Sequence, residues 1–316
     1  MKKIYIALSF VLTLICLVVN NNVYASANTL YSSGDGSSSN PYIITSEEHL
    51  KNIKYNLSSH YKLGDNIVLT SDWTPIDKFY GKIDGDFYSI KKMHIEVQNS
   101  GVKSGFIGYL YGTIKNIYFN SCSITNSDNY SSEYESHIGI VTGYCKGVIN
   151  NCYVSDSTID IKYNRTYVGS IAGTIDPDGS ILNSSVYNSS LDITGDAGGL
   201  AGVNCGVIAD STADTTITYH YIDSNTSIGG LVGTNAYDAS IDNSKSYGCI
   251  YWDSPSKSRD IKPYMGKLIG YNAGEYTNCY SGMGYDISYY YWHFIGWYNQ
   301  SERCFKYDDG YVGYNK

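Results

Sequence analysis

The chain has 316 residues, is rich in glycine (32) and tyrosine (35), and contains only five prolines. Its 22 basic residues stand against 30 acidic ones, a net charge of −8, so it has no electrostatic reason to bind nucleic acid or anionic lipid. The length allows one large β domain or two ordinary domains.

The first 27 residues are typical of a secretory signal peptide. Lys2 and Lys3 precede an apolar run at 4–19, and small residues follow at 23–27. The apolar run is short for a membrane span. We expect cleavage after Ala25 or Ala27 and a secreted, extracellular protein with no membrane insertion after signal removal. Association with a cell surface stays open.

Residues 28–100 are predicted to form an N-terminal cap and the first coils of a longer structure. Thr45 to Glu48 form the pattern of a capping box, with Thr45 as the N-cap. Behind it, Leu50, Ile53 and Leu57 share one helical face. We expect this short helix to cover the open end of the strands that follow, because an uncovered strand stack exposes apolar core and unpaired edges.

A glycine-rich pattern, followed by Ile-x-Asn or a close variant, recurs six times over residues 101–284. Its closing glycines lie 35, 30, 29, 31 and 37 residues apart. A period near 30 residues with strand-like composition indicates a solenoid, in which each repeat buries its apolar face against its neighbours. We predict an all-β chain forming a parallel β-helix with three strands per coil. The closing glycines are Gly108, Gly143, Gly173, Gly202, Gly233 and Gly270.

Three positions in each repeat have a predicted orientation. The residue two before the closing glycine should point inward, as should the Ile of Ile-x-Asn, which is Tyr276 in the last repeat. The Asn position should form a hydrogen-bonded ladder inside a corner, in the left-handed backbone conformation that Asn tolerates. It is filled by Asn116, Asn151, Asn183, Asp210, Asn243 and Asn278.

These repeats resemble the GLUG motif of bacterial secreted and cell-surface proteins. Residues 229–235 read Gly-Gly-Leu-Val-Gly-Thr-Asn and match its first half, and residues 147–153 read Gly-Val-Ile-Asn-Asn-Cys-Tyr and match its second. The resemblance covers roughly residues 34–284. It implies secretion and a right-handed parallel β-helix. It implies little about activity, because the motif occurs in adhesin-like proteins and beside some immunoglobulin A peptidase domains.

No catalytic, cofactor or metal motif is found in the sequence. The histidines, His137 among them, lack the His-Glu-x-x-His spacing of zinc peptidases and are expected to be ordinary surface residues. Asp84 with Asp86, and Asp176 with Asp178, are the carboxylate pairs that a polysaccharide lyase or glycosidase could use. Both pairs flank Gly or Pro in turns, where Asp serves the backbone. We predict no enzyme activity, with a polysaccharide-active enzyme as the alternative.

Seven cysteines remain after signal removal, an odd number for a disulfide framework. Cys152 and Cys279 occupy the same slot of the repeat four coils apart, about 19 Å by strand stacking, which is too far for a disulfide. We expect most of the cysteines to be small, buried core residues.

Aromatic residues are the best indication of a binding function. Tyr118, Tyr153 and Tyr280 share the position two after the Asn and should face outward. The segment 285–316 is predicted to be an aromatic C-terminal cap or tail, and it adds Trp292, Trp297 and Tyr298. Aromatic faces suit sugar rings or protein partners. The sequence predicts a non-catalytic extracellular binding or adhesion scaffold for surface glycans or extracellular proteins, with a purely structural matrix role as a further alternative.

Overall fold

The structure is a computed structural model that describes residues 30–126, 134–163, 165–220, 226–253, 263–282, 284–287 and 312–315. The predicted signal peptide lies outside these ranges, as does most of the predicted C-terminal cap. Within them, the chain forms 35 strands that pair in parallel from coil to coil, and one short α-helix follows the first strand. The predicted all-β parallel β-helix is confirmed.

The helix, α1 (Glu47–Asn52), continues into a 3-10 turn at Ile53–Tyr55. Its N-cap is Ser46, whose hydroxyl accepts the N–H of His49 at 3.2 Å, so the prediction of Thr45 as N-cap was one residue early. Leu50 and Ile53 are fully buried against the first strands. Burial of this face explains why the short helix forms at the end of the core.

The strands belong to four parallel sheets, which we call A to D. Sheet A contains Tyr42–Ile44, His60–Leu63, Lys82–Asp84, Thr113–Lys115, Val148–Asn150, Ser180–Leu182, Val207–Ala209, Ser240–Asp242 and Glu275–Thr277. Sheet B contains Ile67–Val68, Ser89–Lys91, His94–Val97, Tyr118–Asn120, Ser123–Asn126, Tyr153–Ser155, Thr158–Ile161, Ser185–Ile193, Thr212–His220, Lys245–Asp253, Tyr280–Ser281 and Gly284–Ile287.

The other two sheets are formed by strands of the glycine-rich segments. Sheet C contains Ile76–Phe79, Ile107–Leu110, Thr142–Cys145, Ala172–Ile175, Ala201–Asn204, Val232–Asn235, Ile269–Asn272 and Val312–Asn315. Sheet D contains Lys103–Ser104, Ser136–Ile138, Thr166–Gly169, Asp196–Gly198, Ser227–Gly229 and Tyr264–Gly266.

A complete coil passes through sheets C, A, B and D in that order, so the prediction of three strands per coil was wrong. The glycine-rich segment holds two strands rather than one, because the chain turns sharply between sheets D and C. Sheet B also takes two short strands in the first coils and a single nine-residue strand in later ones, such as Thr212–His220.

The predicted stacking of the repeats is confirmed. Tyr109 pairs with Tyr144 and Tyr144 with Thr174, which places the closing glycines beside one another in successive coils. The residues two before those glycines are fully buried, as are Ile114, Ile149, Ile181 and Ile208. Tyr276 was predicted to point inward but is 37% exposed. It lies in the last strand of sheet A that the structure describes, with a neighbouring strand on one side only.

The predicted asparagine positions all have φ between 44° and 55°. Their amides bond along the stack: the Nδ2 of Asn151 donates to Asn116 Oδ1 at 2.8 Å, and that of Asn243 to Asp210 Oδ1 at 2.6 Å. The ladder lies on the outer surface of the corner, however, and not inside it as predicted. A left-handed residue turns the chain there, and the following small residue, such as Ser184 or Ser211, fills the interior.

Candidate functional site

The structure separates the three described tyrosines of the predicted binding surface. Tyr118 and Tyr153 are neighbours in sheet B, with ring centroids 4.6 Å apart and planes 13° apart. Tyr280 lies four coils beyond Tyr153 in the same column. Because Tyr118 and Tyr153 stack face to face, their contact covers one face of each ring. Trp292, Trp297 and Tyr298 lie outside the described residues.

Sheets C and D approach each other closely through their glycines. A Cβ at Gly143 of sheet C would lie 2.5 Å from the backbone nitrogen of Ser104 and 2.6 Å from the carbonyl oxygen of His137, both in sheet D. A Cβ at Gly169 of sheet D would lie 2.4 Å from the Cα of Ala201 in the next coil of sheet C. Only glycine allows the two backbones to come this close.

The corner between these sheets is concave. His137 in sheet D and Thr174 in sheet C face outward, because their neighbours Ile138 and Ile175 face the core. His137 Nδ1 nevertheless lies 2.6 Å from Thr174 Oγ1, and both residues are buried. Outward side chains of two sheets can meet in this way only across a re-entrant corner.

We call this concave surface the C–D groove. Each coil contributes one outward residue from sheet D and one from sheet C. In chain order the pairs are Lys103 and Tyr109, His137 and Tyr144, Tyr167 and Thr174, Asp196 and Val203, Ser227 and Thr234, and Tyr264 and Tyr271.

One half of the groove is lined by a continuous aromatic cluster. The ring of His137 lies 5.2 Å from that of Tyr144 and 5.0 Å from that of Tyr167, and Tyr109 lies 5.7 Å from Tyr144. The ammonium of Lys78 stands 6.0 Å above the ring of Tyr109. The expectation that His137 is an ordinary surface histidine was wrong, because the approach of sheet C buries it.

Burial and neighbouring charges keep His137 neutral. Burial lowers the pKa of His137 to about 3, and the positive charge of Lys103 acts in the same direction. Burial also lowers the pKa of Lys103, which Glu135 partly offsets. A neutral imidazole at this position can share a hydrogen bond with Thr174 without carrying an unpaired charge.

Asp196 is the most perturbed carboxyl among the described residues. Burial raises its pKa to about 7, the N–H of Ser227 at 2.7 Å partly offsets this, and the negative charge of Glu135 raises it further. Its neighbour along sheet D, Tyr167, has a pKa raised to about 12 by burial and by Glu135. The Asp196 carboxyl is therefore protonated much more readily than an exposed aspartate.

The two carboxylate pairs considered from the sequence do serve turns. Asp84 Oδ1 accepts the N–H of Asp86, and Asp176 Oδ1 accepts that of Asp178. Burial acts to raise the pKa of Asp84, but hydrogen bonds led by the one from Lys115 hold it below its ordinary value.

Asp176 also borders the groove. Its Oδ2 accepts the phenol of Tyr144 at 2.8 Å and lies 3.2 Å from the ammonium of Lys146. Burial acts to raise the pKa of Asp176, but the hydrogen bonds from Tyr144, from the N–H of Asp178 and from Lys146 hold it below its ordinary value. The ionised carboxylate thus fixes the phenol of Tyr144 at the groove wall.

Six cysteines fall within the described residues, and Cys122, Cys145, Cys152, Cys205 and Cys279 are free thiols. Cys122, Cys145, Cys152 and Cys249 are buried as predicted, whereas Cys205 and Cys279 are partly exposed. Burial raises the pKa of Cys122 to about 11 and that of Cys145 and Cys152 to about 12, so these thiols are inert at neutral pH. In the same ranges, no three His, Cys, Asp or Glu residues could together hold a metal ion.

Sequence reasoning missed the groove residues although the sequence carries a signal for them. In five of the six repeats, the sheet D residue stands six positions before the closing glycine and the sheet C residue directly after it, as with His137 and Tyr144 around Gly143. The aromatic residues at these positions lack a common identity from repeat to repeat. Only the re-entrant corner shows that they face one another.

Comparison with known proteins agrees with the repeat pattern. The family profile of the GLUG motif matches residues 224–248, which contain the Gly-Gly-Leu-Val-Gly-Thr-Asn segment. The chain carries the GLUG motif. The resemblance inferred from the sequence is thereby confirmed, and the motif's glycines are those that bring sheets C and D together.

One relative of this chain is a protein of Evansella cellulosilytica, provisionally named a Gly-rich membrane protein. The two are 28% identical over 167 residues, which is 46% of this chain and 19% of the relative. The match therefore covers about a fifth of the relative's length. Within the described residues of this chain, no helix is both long and apolar enough to cross a membrane.

A solved structure from Bacteroides ovatus, provisionally named an immunoglobulin A1 protease, has a similar fold. It is 21% identical to this chain, with a TM-score of 0.62, and the match covers 91% of this chain and 87% of that one. At this level of identity the similarity shows the β-solenoid fold alone.

Proposed function

We propose that this GLUG-motif protein is a secreted, non-catalytic scaffold that binds glycans or proteins at an extracellular or cell surface. The observation that carries the proposal is the C–D groove, a concave surface with aromatic walls and a few fixed polar groups. Such surfaces are typical of binding sites. A rigid solenoid also repeats its surface along one axis, which favours multivalent contact.

The GLUG motif supports this proposal because the sequence resemblance associates it with secreted and surface proteins. The match to a relative named as a membrane protein supports a surface location. The groove residues are held by structural contacts: Tyr144 by Asp176, and His137 by Thr174. These contacts suit a preformed binding surface, which loses little conformational freedom when a ligand binds.

A polysaccharide-cleaving enzyme is the second candidate, and Asp196 is the observation that favours it. A carboxyl with a pKa of about 7 can act as a general acid near neutral pH, and glycosidases use a pair of carboxyls. Glu135 is the second carboxyl close enough to influence Asp196. Neutral His137 lies two coils away in the same column, about 9.6 Å by strand stacking.

The test uses the mature chain, residues 28–316, on a glycan array and in a pull-down with bacterial cell walls. The same protein is incubated with soluble polysaccharides, and new reducing ends and unsaturated sugars are measured. We expect binding without product formation. Turnover that disappears in Asp196→Asn would replace the binding proposal with the enzymatic one. An absence of binding to every array glycan and every wall preparation would favour the purely structural matrix role.

A further inference from the structure

The aromatic rings of the C–D groove differ in arrangement from the other exposed tyrosines. Tyr109 and Tyr144 are tilted by 48°, His137 and Tyr144 by 72°, and His137 and Tyr167 by 53°. Tyr118 and Tyr153, in contrast, are within 13° of parallel. Tyr109 also stacks on Tyr111 and lies beneath Lys78, so the rings left for a ligand in this part of the groove are those of Tyr144 and Tyr167. Both are half-buried in the concave corner, where a ligand would be surrounded, whereas Tyr118 and Tyr153 lie on the outward face of sheet B.

The polar groups beside these rings suit hydroxyl groups better than charges. The carboxyl of Asp196 and the phenol oxygens of Tyr144 and Tyr167 can accept hydrogen bonds beside the rings. The oxygens of Asp176 are already bonded to Tyr144, Lys146 and the N–H of Asp178. Charges of both signs are interspersed along this half of the groove: Lys146 pairs with Asp176 and Lys103 lies beside Glu135, while Lys78 and Asp196 add one charge of each sign. No positive field attracts a polyanion here, and the whole chain is acidic.

The groove also has a length and a direction. Tyr264 and Tyr271 form a second aromatic pair, with centroids 5.5 Å apart, three coils beyond Tyr167. Three coil spacings are about 14 Å. Between the two aromatic parts lie smaller polar residues, including Ser227 and Thr234. A pyranose ring is similar in length to one coil spacing, so an extended sugar chain can follow the groove from coil to coil.

We propose that the C–D groove binds a linear, uncharged polysaccharide that lies along the solenoid axis. Sugar rings pack against Tyr144 and Tyr167, and sugar hydroxyls bond to their phenols and to the carboxyl of Asp196. This inference rests on the proposed binding function and assigns it a site and a ligand class.

The experiment measures binding of the mature chain to β-1,4-linked glucose, xylose and mannose oligosaccharides of two to six units by titration calorimetry. Polygalacturonate is the charged probe. We expect at least one neutral series to bind, with affinity rising as the chain lengthens, and polygalacturonate to bind more weakly. Tyr144→Ala and Tyr167→Ala should each weaken binding about tenfold, as for removal of an anchoring aromatic residue.

Tyr118→Ala is the matched control, because it removes an exposed tyrosine from sheet B and should leave the affinity unchanged. Tyr144→Phe keeps the ring and should retain most of the binding even if Tyr144→Ala folds poorly. Circular dichroism and thermal unfolding establish that each variant is folded.

Three results would overturn the assignment. If no neutral oligosaccharide binds but a surface protein does, the scaffold function stands and the glycan ligand is ruled out. Tighter binding of polygalacturonate would contradict the uncharged ligand. Loss of binding in Tyr118→Ala with full binding in Tyr144→Ala and Tyr167→Ala would move the site to sheet B.

Discussion

Two columns of asparagine run along this solenoid, and they have different physical roles. The Asn of Ile-x-Asn lies at the outer surface, where its left-handed backbone turns the chain between sheets A and B. Asn204, Asn235 and Asn272 are instead buried at the ends of strands of sheet C. There Asn204 Nδ2 donates to Asn235 Oδ1 at 2.9 Å, and Asn235 Nδ2 to Asn272 Oδ1 at 2.8 Å. The buried amides satisfy one another, which is the condition for placing them in a core.

Asp196 gives a prediction about stability and pH. Its folded pKa is about 7 and the ordinary value of Asp is about 4, so between these values the folded state holds a proton that the unfolded chain has released. Stability should therefore fall as pH rises through this window. Asp196→Asn should be more stable than the natural chain at high pH, by about 1–2 kcal/mol once water around the partly exposed carboxyl is allowed for.

The measurement is the thermal unfolding temperature as a function of pH for the natural chain and for Asp196→Asn. Asp160→Asn is the control, because Asp160 is an exposed carboxyl paired with Lys162. Its pH profile should follow that of the natural chain. If Asp196→Asn shows the same slope as the natural chain between pH values of about 4 and 7, the carboxyl is not held protonated.

At the scale of the elements, the contact between sheets C and D depends on the closing glycines. Gly143→Ala would place a methyl group 2.5 Å from Ser104 N and 2.6 Å from His137 O, and backbone atoms can move away only if the sheets separate. We expect a loss of about 1–3 kcal/mol in the free energy of unfolding, as for an overpacked core position. Urea unfolding followed by circular dichroism would measure it.

Gly282→Ala provides a comparison within the same chain. A Cβ there would meet ring atoms of Tyr247 at 3.0 and 3.2 Å, and this ring is 37% exposed and free to shift. Gly282→Ala should change the free energy of unfolding by no more than about 0.5 kcal/mol. Equal losses in the two variants would show that close backbone approach is not what requires glycine in the motif.

At the scale of the whole molecule, the described strands of each coil pair with those of the coils on either side of it. A deletion of 174–202 removes one full period of 29 residues and joins Gly173 to Val203, so the strands of every sheet can still stack. We expect this variant to fold with strand-rich circular dichroism and a lower unfolding temperature, because solenoid stability is a sum over neighbouring repeats.

A deletion of half a period, 174–187, would place strands of sheet C against strands of sheet B and expose apolar side chains. It should fail to fold and be digested rapidly in limited proteolysis. If both deletions fold equally well, the coil is not the unit of this architecture.

The sequence by itself determined the solenoid, its period and the inward positions of the repeat, because these depend on contacts between equivalent residues of successive coils. The same residue types therefore recur along the chain at the period of the coil, and the sequence alone shows this recurrence. It also predicted the outward orientation of Tyr118. The sequence also predicted the capping helix, but it placed the N-cap at Thr45 instead of Ser46, because both residues have a suitable hydroxyl.

The C–D groove was decided only by the tertiary structure. His137 and Thr174 come from different sheets and different coils, and although each stands at a periodic position, the period does not show that the two positions face one another. Their contact requires the corner to turn inward, and this turn follows from two glycine backbones packing together within a distance that excludes a Cβ. The glycines were visible in the sequence, but the direction of the corner depends on how sheets C and D pack in three dimensions.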